Sequence, residues 1–124
     1  MRTLLALGLS IVVPPGWHVA HPRLLEPCTN PAPRFALARG RDLLVVQESL
    51  DPPRYLRRFP PRPRRFAVRG EPSPLACCAP ARRDPGWVLS FRDDGRAFYA
   101  YVYGRAGAVT AVLDTLRVAP RRPS

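Results

Sequence analysis

The residues best suited to chemistry in this 124-residue chain are three alternating tyrosines, an arginine-rich stretch and three cysteines. Tyr99, Tyr101 and Tyr103 are two apart, so a β-strand places them on one face. Arg92, on the strand expected beside them, adds a guanidinium to that face. Aromatic rings beside arginine can stack on bases or sugars. The competing expectation is structural: the face is covered by the irregular segment near the N-terminus, with the hydroxyls bonded at its edge.

The net charge is +11, carried by arginine alone, for the chain has no lysine. Seventeen prolines and many alanines and glycines accompany it, the pattern of GC-rich coding, so the high isoelectric point alone says little about partners. Where the charge lies says more. Residues 51–70 hold seven arginines against one aspartate, +6, while residues 1–50 carry +2 and residues 71–124 carry +3. A concentrated cationic segment can steer an anionic partner, and Arg57, Arg58 and Arg62 are its candidate binding residues. A solvated loop is the alternative. Arg57 to Pro63 also matches R-x-x-P-x-x-P, which can present a polyproline ridge to a protein partner, but a chain this rich in both residues produces the pattern by chance. Tyr55 and Phe59, set among the arginines, either touch nucleic acid or lipid, or anchor the loop to the core.

The cysteines are Cys28, Cys77 and Cys78. In an oxidising compartment Cys28 can bridge to Cys77 or Cys78, leaving one thiol over. Three thiols with His18 or His21 could in principle complete a zinc site, but the chain lacks C-x2-C and H-x3-H spacing, and no metal is expected. A Cys–His nucleophile pair has no support from spacing. Asp93 and Asp94 belong to a turn exposed to solvent, and there is no phosphate-binding glycine loop. The expectation is therefore no catalytic residues and no cofactor.

The elements that must position these residues form one domain, residues 1–119, followed by a disordered tail at 120–124. No apolar run approaches the ~20 residues of a membrane span. The apolar stretch before Pro14-Pro15-Gly16-Trp17 sits where a signal peptide's core would lie. Its Leu7, Leu9, Ile11 and Val13 alternate as in a strand, and the proline pair ends a strand cleanly while no cleavage site follows. A strand is expected, which fits a cytoplasmic protein as the chain is written and an extracytoplasmic one if a leader precedes it. Residues 17–33 read as irregular. Arg34–Arg39 and Asp42–Ser49 read as a hairpin about Gly40-Arg41, and Phe66–Arg69 as a short strand. Gly86–Arg92 and Ala97–Tyr103 flank Asp94-Gly95, a preferred two-residue hairpin turn. That turn sets Phe91 against Phe98, Leu89 against Ala100 and Trp87 against Val102. Val109, Val112, Leu113 and Leu116 mark one face of a helix over 106–116. The fold class is α+β: a twisted antiparallel β-sheet with a C-terminal α-helix on one face and long Pro/Arg-rich loops.

The V-P-P-G-W opening at Val13–Trp17, the D-G-R-x-F hairpin at Asp94–Phe98 and the closing V-L-D-T-L-R-V at Val112–Val118 resemble small domains of high-GC bacteria. More distantly they are similar to the Mog1/PsbP-like α/β sandwich. The resemblance implies an antiparallel sheet flanked by helix and a non-enzymatic accessory or binding role, often outside the cytoplasm. It carries over no functional residues. Two functions follow for testing: a non-catalytic binding or accessory module, and a cytosolic nucleic-acid- or polyanion-binding protein using the arginines of residues 54–69.

Overall fold

A computed structural model describes residues 2–23, 33–49, 53–75, 79–80 and 84–119. Among the described residues, eight strands, one α-helix and a 3-10 helix are arranged as α+β. Strands β1 (Arg2–Ala6), β2 (Leu9–Val13) and β8 (Arg117–Val118) form a small sheet in the order β1-β2-β8. Strands β3 (His18–Ala20), β4 (Arg34–Arg39), β5 (Asp42–Glu48), β6 (Trp87–Asp93) and β7 (Arg96–Tyr103) form a larger one, ordered β3-β4-β5-β7-β6. All pairings between these strands are antiparallel. Helix α1 (Ala106–Leu113) and the small sheet pack on the same face of the larger sheet.

Patterning explains that arrangement. Leu44 and Val46 of β5, Phe91 of β6 and Phe98, Ala100 and Val102 of β7 share one face. They are buried with Leu9, Ile11 and Val13 of β2 and with Val109, Val112, Leu113 and Leu116. Every residue of β5 is buried, as expected of a central strand covered on both faces. The β6–β7 hairpin adopts the register set by its turn, with Phe91 opposite Phe98, Leu89 opposite Ala100 and Trp87 opposite Val102. Asp94 and Gly95 both have positive φ, at 53° and 75°, as a mirror-image hairpin turn requires.

Three expectations change. The N-terminal apolar stretch is a hairpin instead of a single strand: Leu7 and Gly8, with φ of 59° and 72°, turn β1 back on β2. Alternation survives through Leu9, Ile11 and Val13, but Leu7 stands exposed in the turn. The segment after Trp17, read as irregular, contains β3, which pairs with β4. Phe66–Arg69 is not a strand; Phe66 is buried against Phe91, with ring centroids 4.9 Å apart.

The V-P-P-G-W stretch is the corner between the sheets. The Trp17 N–H donates to the Pro14 carbonyl at 3.1 Å across a turn with Gly16 at φ 86°. This geometry needs glycine at the third position and favours proline at the second. It takes the chain from β2 to β3 and drops Trp17 into the core, under the Arg39 guanidinium 5.3 Å from the ring.

Candidate functional site

The arginine-rich segment is a structured arm. A 3-10 helix over Pro53–Arg58 presents Arg54, Arg57 and Arg58 to solvent. The Tyr55 ring lies between two of these guanidiniums, 5.0 Å from that of Arg54 and 4.4 Å from that of Arg58. Phe59 follows, buried, with its ring 5.2 Å from Tyr99 in an edge-on contact. Phe59 is thus the anchor, and Tyr55 holds arginines in place.

Arg62 has a different role from Arg57 and Arg58. Its guanidinium donates to the Leu116 carbonyl at 2.6 Å, the Asp114 carbonyl at 3.1 Å and the Asp93 carboxylate at 3.0 Å. These carbonyls lie where α1 ends, so Arg62 caps the helix from a distant part of the chain. Asp114 completes the clasp by accepting the Phe66 N–H at 2.7 Å. Thr115 ties the other side: its hydroxyl accepts the Val12 N–H at 3.0 Å and donates to the Val112 carbonyl at 2.7 Å. The D-T pair of the closing motif therefore joins both the arm and the small sheet to the helix. Arg62 leaves the set of candidate ligand-binding residues because three of its five donors are spent inside the fold and its side chain is largely buried.

Arg92 and the tyrosines are likewise corrected. The Arg92 guanidinium donates to the Phe59 carbonyl, and its main chain brackets the arm through Arg92 N–H to Pro60 O at 2.8 Å and Arg62 N–H to Arg92 O at 3.0 Å. Tyr101 and Tyr103 are buried, in a second apolar cluster with Ala36, Leu43, Val45 and Ala79. Tyr99 is half-buried beneath Phe59. The structure brings the three rings to one face but gives ligands no stacking platform. Among the described residues the covering comes from Phe59, Leu75 and Ala79, and residues 24–32 of the segment expected to supply it lie outside the described residues.

What remains exposed on the arm are Arg54, Arg57, Arg58, Arg64, Arg65 and Arg69. Residues 52–70 contain no acid. Six guanidiniums therefore face solvent on a backbone fixed by Phe59, Arg62 and Phe66. Such an array can bind anionic groups by charge and by bidentate hydrogen bonds. Among the described residues no group of histidine, cysteine and acidic side chains could hold a metal ion. The expected bridge of Cys28 to Cys77 or Cys78, and the expected tail at 120–124, lie outside the described residues. Among the described residues no helix is long and apolar enough to cross a membrane.

Three buried charged residues, Arg96, Glu48 and Asp42, were not singled out from the sequence. Arg96 grips Glu48 through two bonds of 2.9 Å, both side chains at least nine-tenths buried. Asp42, also buried, accepts the Arg105 N–H at the start of α1 at 2.9 Å and the Arg105 guanidinium at 2.8 Å. These bonds from Arg105, outweighing burial and aided by Arg39 at 3.4 Å, hold the Asp42 carboxyl below the usual carboxylate range. A folded-state pKa below the unfolded one gives stability that is present above the unfolded value, near 3.8, and is lost as pH falls through the folded value. Asp42→Asn is therefore expected to lower stability at pH 6 and to flatten the acid limb of stability against pH below about 4, read by urea unfolding at a series of pH values. An acid limb of unchanged slope would refute this.

Comparison with known proteins finds no matching family model, no matching curated protein and no matching solved structure.

Proposed function

We propose that this protein is a non-catalytic binding module that engages polyanions through the arginine arm, residues 53–69. The observation that carries the reading is the division of labour within the arm. Phe59, Arg62 and Phe66 are spent on attachment, while six other arginines face solvent with no acid among them. A fixed cationic array loses less conformational freedom on binding than a mobile one. The resemblance of the sequence motifs to the Mog1/PsbP-like sandwich is in keeping with a binding role. So is the fact that the residues carrying that resemblance, at the P-P-G-W corner and the terminal D-T pair, serve structure.

The test uses a 20-nucleotide single strand and a duplex of the same length as probes. Binding of each should weaken steeply as salt rises. Arg57→Ala/Arg58→Ala should lower the slope of log affinity against log salt by about 1.4 for the single strand and about 1.8 for the duplex. Circular dichroism and melting temperature should stay unchanged, because both side chains are exposed and the contact of Arg58 is with Tyr55 of the arm itself. Arg62→Ala should do the reverse, lowering the melting temperature through loss of the helix cap. Equal affinity of the double variant and the parent, or binding indifferent to salt, would overturn the proposal.

A further inference from the structure

The outer edge of the larger sheet is closed at both ends and open in the middle. In the β6–β7 hairpin the pair flanking the turn, Asp93 and Arg96, is hydrogen-bonded, as two-residue turns require. Phe91, Leu89 and Trp87 therefore bond to β7, whereas Arg92, Ser90, Val88 and Gly86 turn their N–H and C=O groups outward. The observed bonds agree. Arg92 exchanges its outward groups with Pro60 and Arg62, and Gly86 exchanges its own with Ser73 in both directions at 3.0 Å. Between them, the N–H and C=O of Val88 and Ser90 have no hydrogen-bond partner among the described residues.

The usual protections of an edge strand are missing over this stretch. It has no proline, no bulge and no inward-pointing charge. Val88 is 48% exposed, high for a valine in a sheet. The segment 67–75 meets the edge strand at Ser73 and at the Gly70 carbonyl, which accepts the Trp87 indole N–H at 3.1 Å, and leaves Val88 and Ser90 uncovered. The space between is a channel of about 420 Å³ lined by Ala67, Arg69, Glu71, Ser73, Leu75 and β6.

We propose that the Val88–Ser90 edge takes up a short extended segment of an acidic partner protein as an added strand. Main-chain pairing is the chemistry that four aligned, unpaired backbone groups can offer. Charge selects the partner: residues 64–71 carry three arginines to one glutamate, and the chain as a whole carries +11. The same charge opposes a second copy of this chain. From Gly86 to Arg92 the edge spans six residue steps, about 20 Å, and its ends are taken, so pairing involves only about three residues of the partner. The contact is accordingly weak and reversible. It does not depend on the arm binding polyanions.

The test follows backbone amides by NMR while the protein is titrated with an amidated decapeptide of alternating Glu and Val, with a Lys/Val peptide as control. Hydrogen exchange should slow at Val88 and Ser90 and stay unchanged at Trp87 and Leu89, which already bond to β7. Ser90→Pro removes only an outward N–H and should weaken binding at least about fivefold. Val88→Glu, at an exposed side chain, should weaken it by charge and keeps the test open should the proline variant fail to fold. Arg57→Ala/Arg58→Ala should leave protection at Val88 and Ser90 intact, separating this inference from the arm's proposed role. No protection at Val88 and Ser90, equal binding of the Lys/Val peptide, or self-association of the protein through this edge would each overturn it.

Discussion

Arg96→Met is expected to lower the free energy of unfolding by about 3–5 kcal/mol, the range for removing one partner of a buried ion pair. Four of the guanidinium's five N–H donors are in use. Besides the two bonds to Glu48, it donates to the Leu7 carbonyl at 2.7 Å and the Ala119 carbonyl at 3.0 Å. Methionine restores much of the volume but removes the guanidinium that donates two bonds to the buried Glu48 carboxylate. The companion variant Glu48→Gln/Arg96→Met should recover part of the loss, since the buried carboxylate charge is then gone. Urea unfolding of the three proteins checks both statements. A single variant within about 1 kcal/mol of the parent would show that the pair does not act as a buried one.

Gly104→Ala should be nearly as damaging, about 2–5 kcal/mol. Gly104 has φ 86°, which costs an L-residue about 1–2 kcal/mol. An added Cβ would also lie 2.8 Å from the Asp42 Cα and 2.9 Å from the Arg41 carbonyl, and closer still to the Asp42 carboxylate. Backbone atoms cannot rotate away, and overpacking of this kind costs a further ~1–3 kcal/mol. The displaced carboxylate is the one that accepts the N–H of Arg105, the residue that precedes α1, so the start of the helix loosens too. Gly40→Ala is the control. It shares a positive φ, 58°, but nothing lies within 4 Å of its added Cβ. It should show the conformational cost alone, about 1–2 kcal/mol. Equal losses for the two variants would mean that the contact with Asp42 is immaterial.

Most of the fold was legible in the sequence where two local signals agreed. The β6–β7 register followed from the Asp94-Gly95 turn together with matched apolar residues on the facing strands. The helix face followed from its spacing, although α1 ends at Leu113 and Leu116 is buried from the turn beyond it. Leu7-Gly8 was missed because the leucine looks like the next member of an alternating series, and nothing local marks it as taking a positive φ. The site was harder to read. Arg57, Arg58 and Arg62 are alike in a sequence, and what distinguishes Arg62 is a helix end 52 residues away. The same limit hid Arg96. It stands in a turn motif where an exposed arginine would serve equally well, and only its contacts with residues 7, 48 and 119 give it its role. The tyrosine face was placed correctly, but its covering depended on loops whose path no periodicity reveals.

The reach of Arg96 has a kinetic meaning. Its four acceptors come from the first hairpin, the central strand and the last strand, so the guanidinium can be satisfied only after segments more than a hundred residues apart have met. Bringing such distant segments together is the slow, entropically costly part of assembly. The clasp therefore closes late, after the β4–β5 and β6–β7 hairpins, whose contacts are local. An interaction absent from the transition state governs the rate of opening more than the rate of assembly. Arg96 thus acts as a latch on the finished molecule, setting how long the native protein lasts before its two ends part.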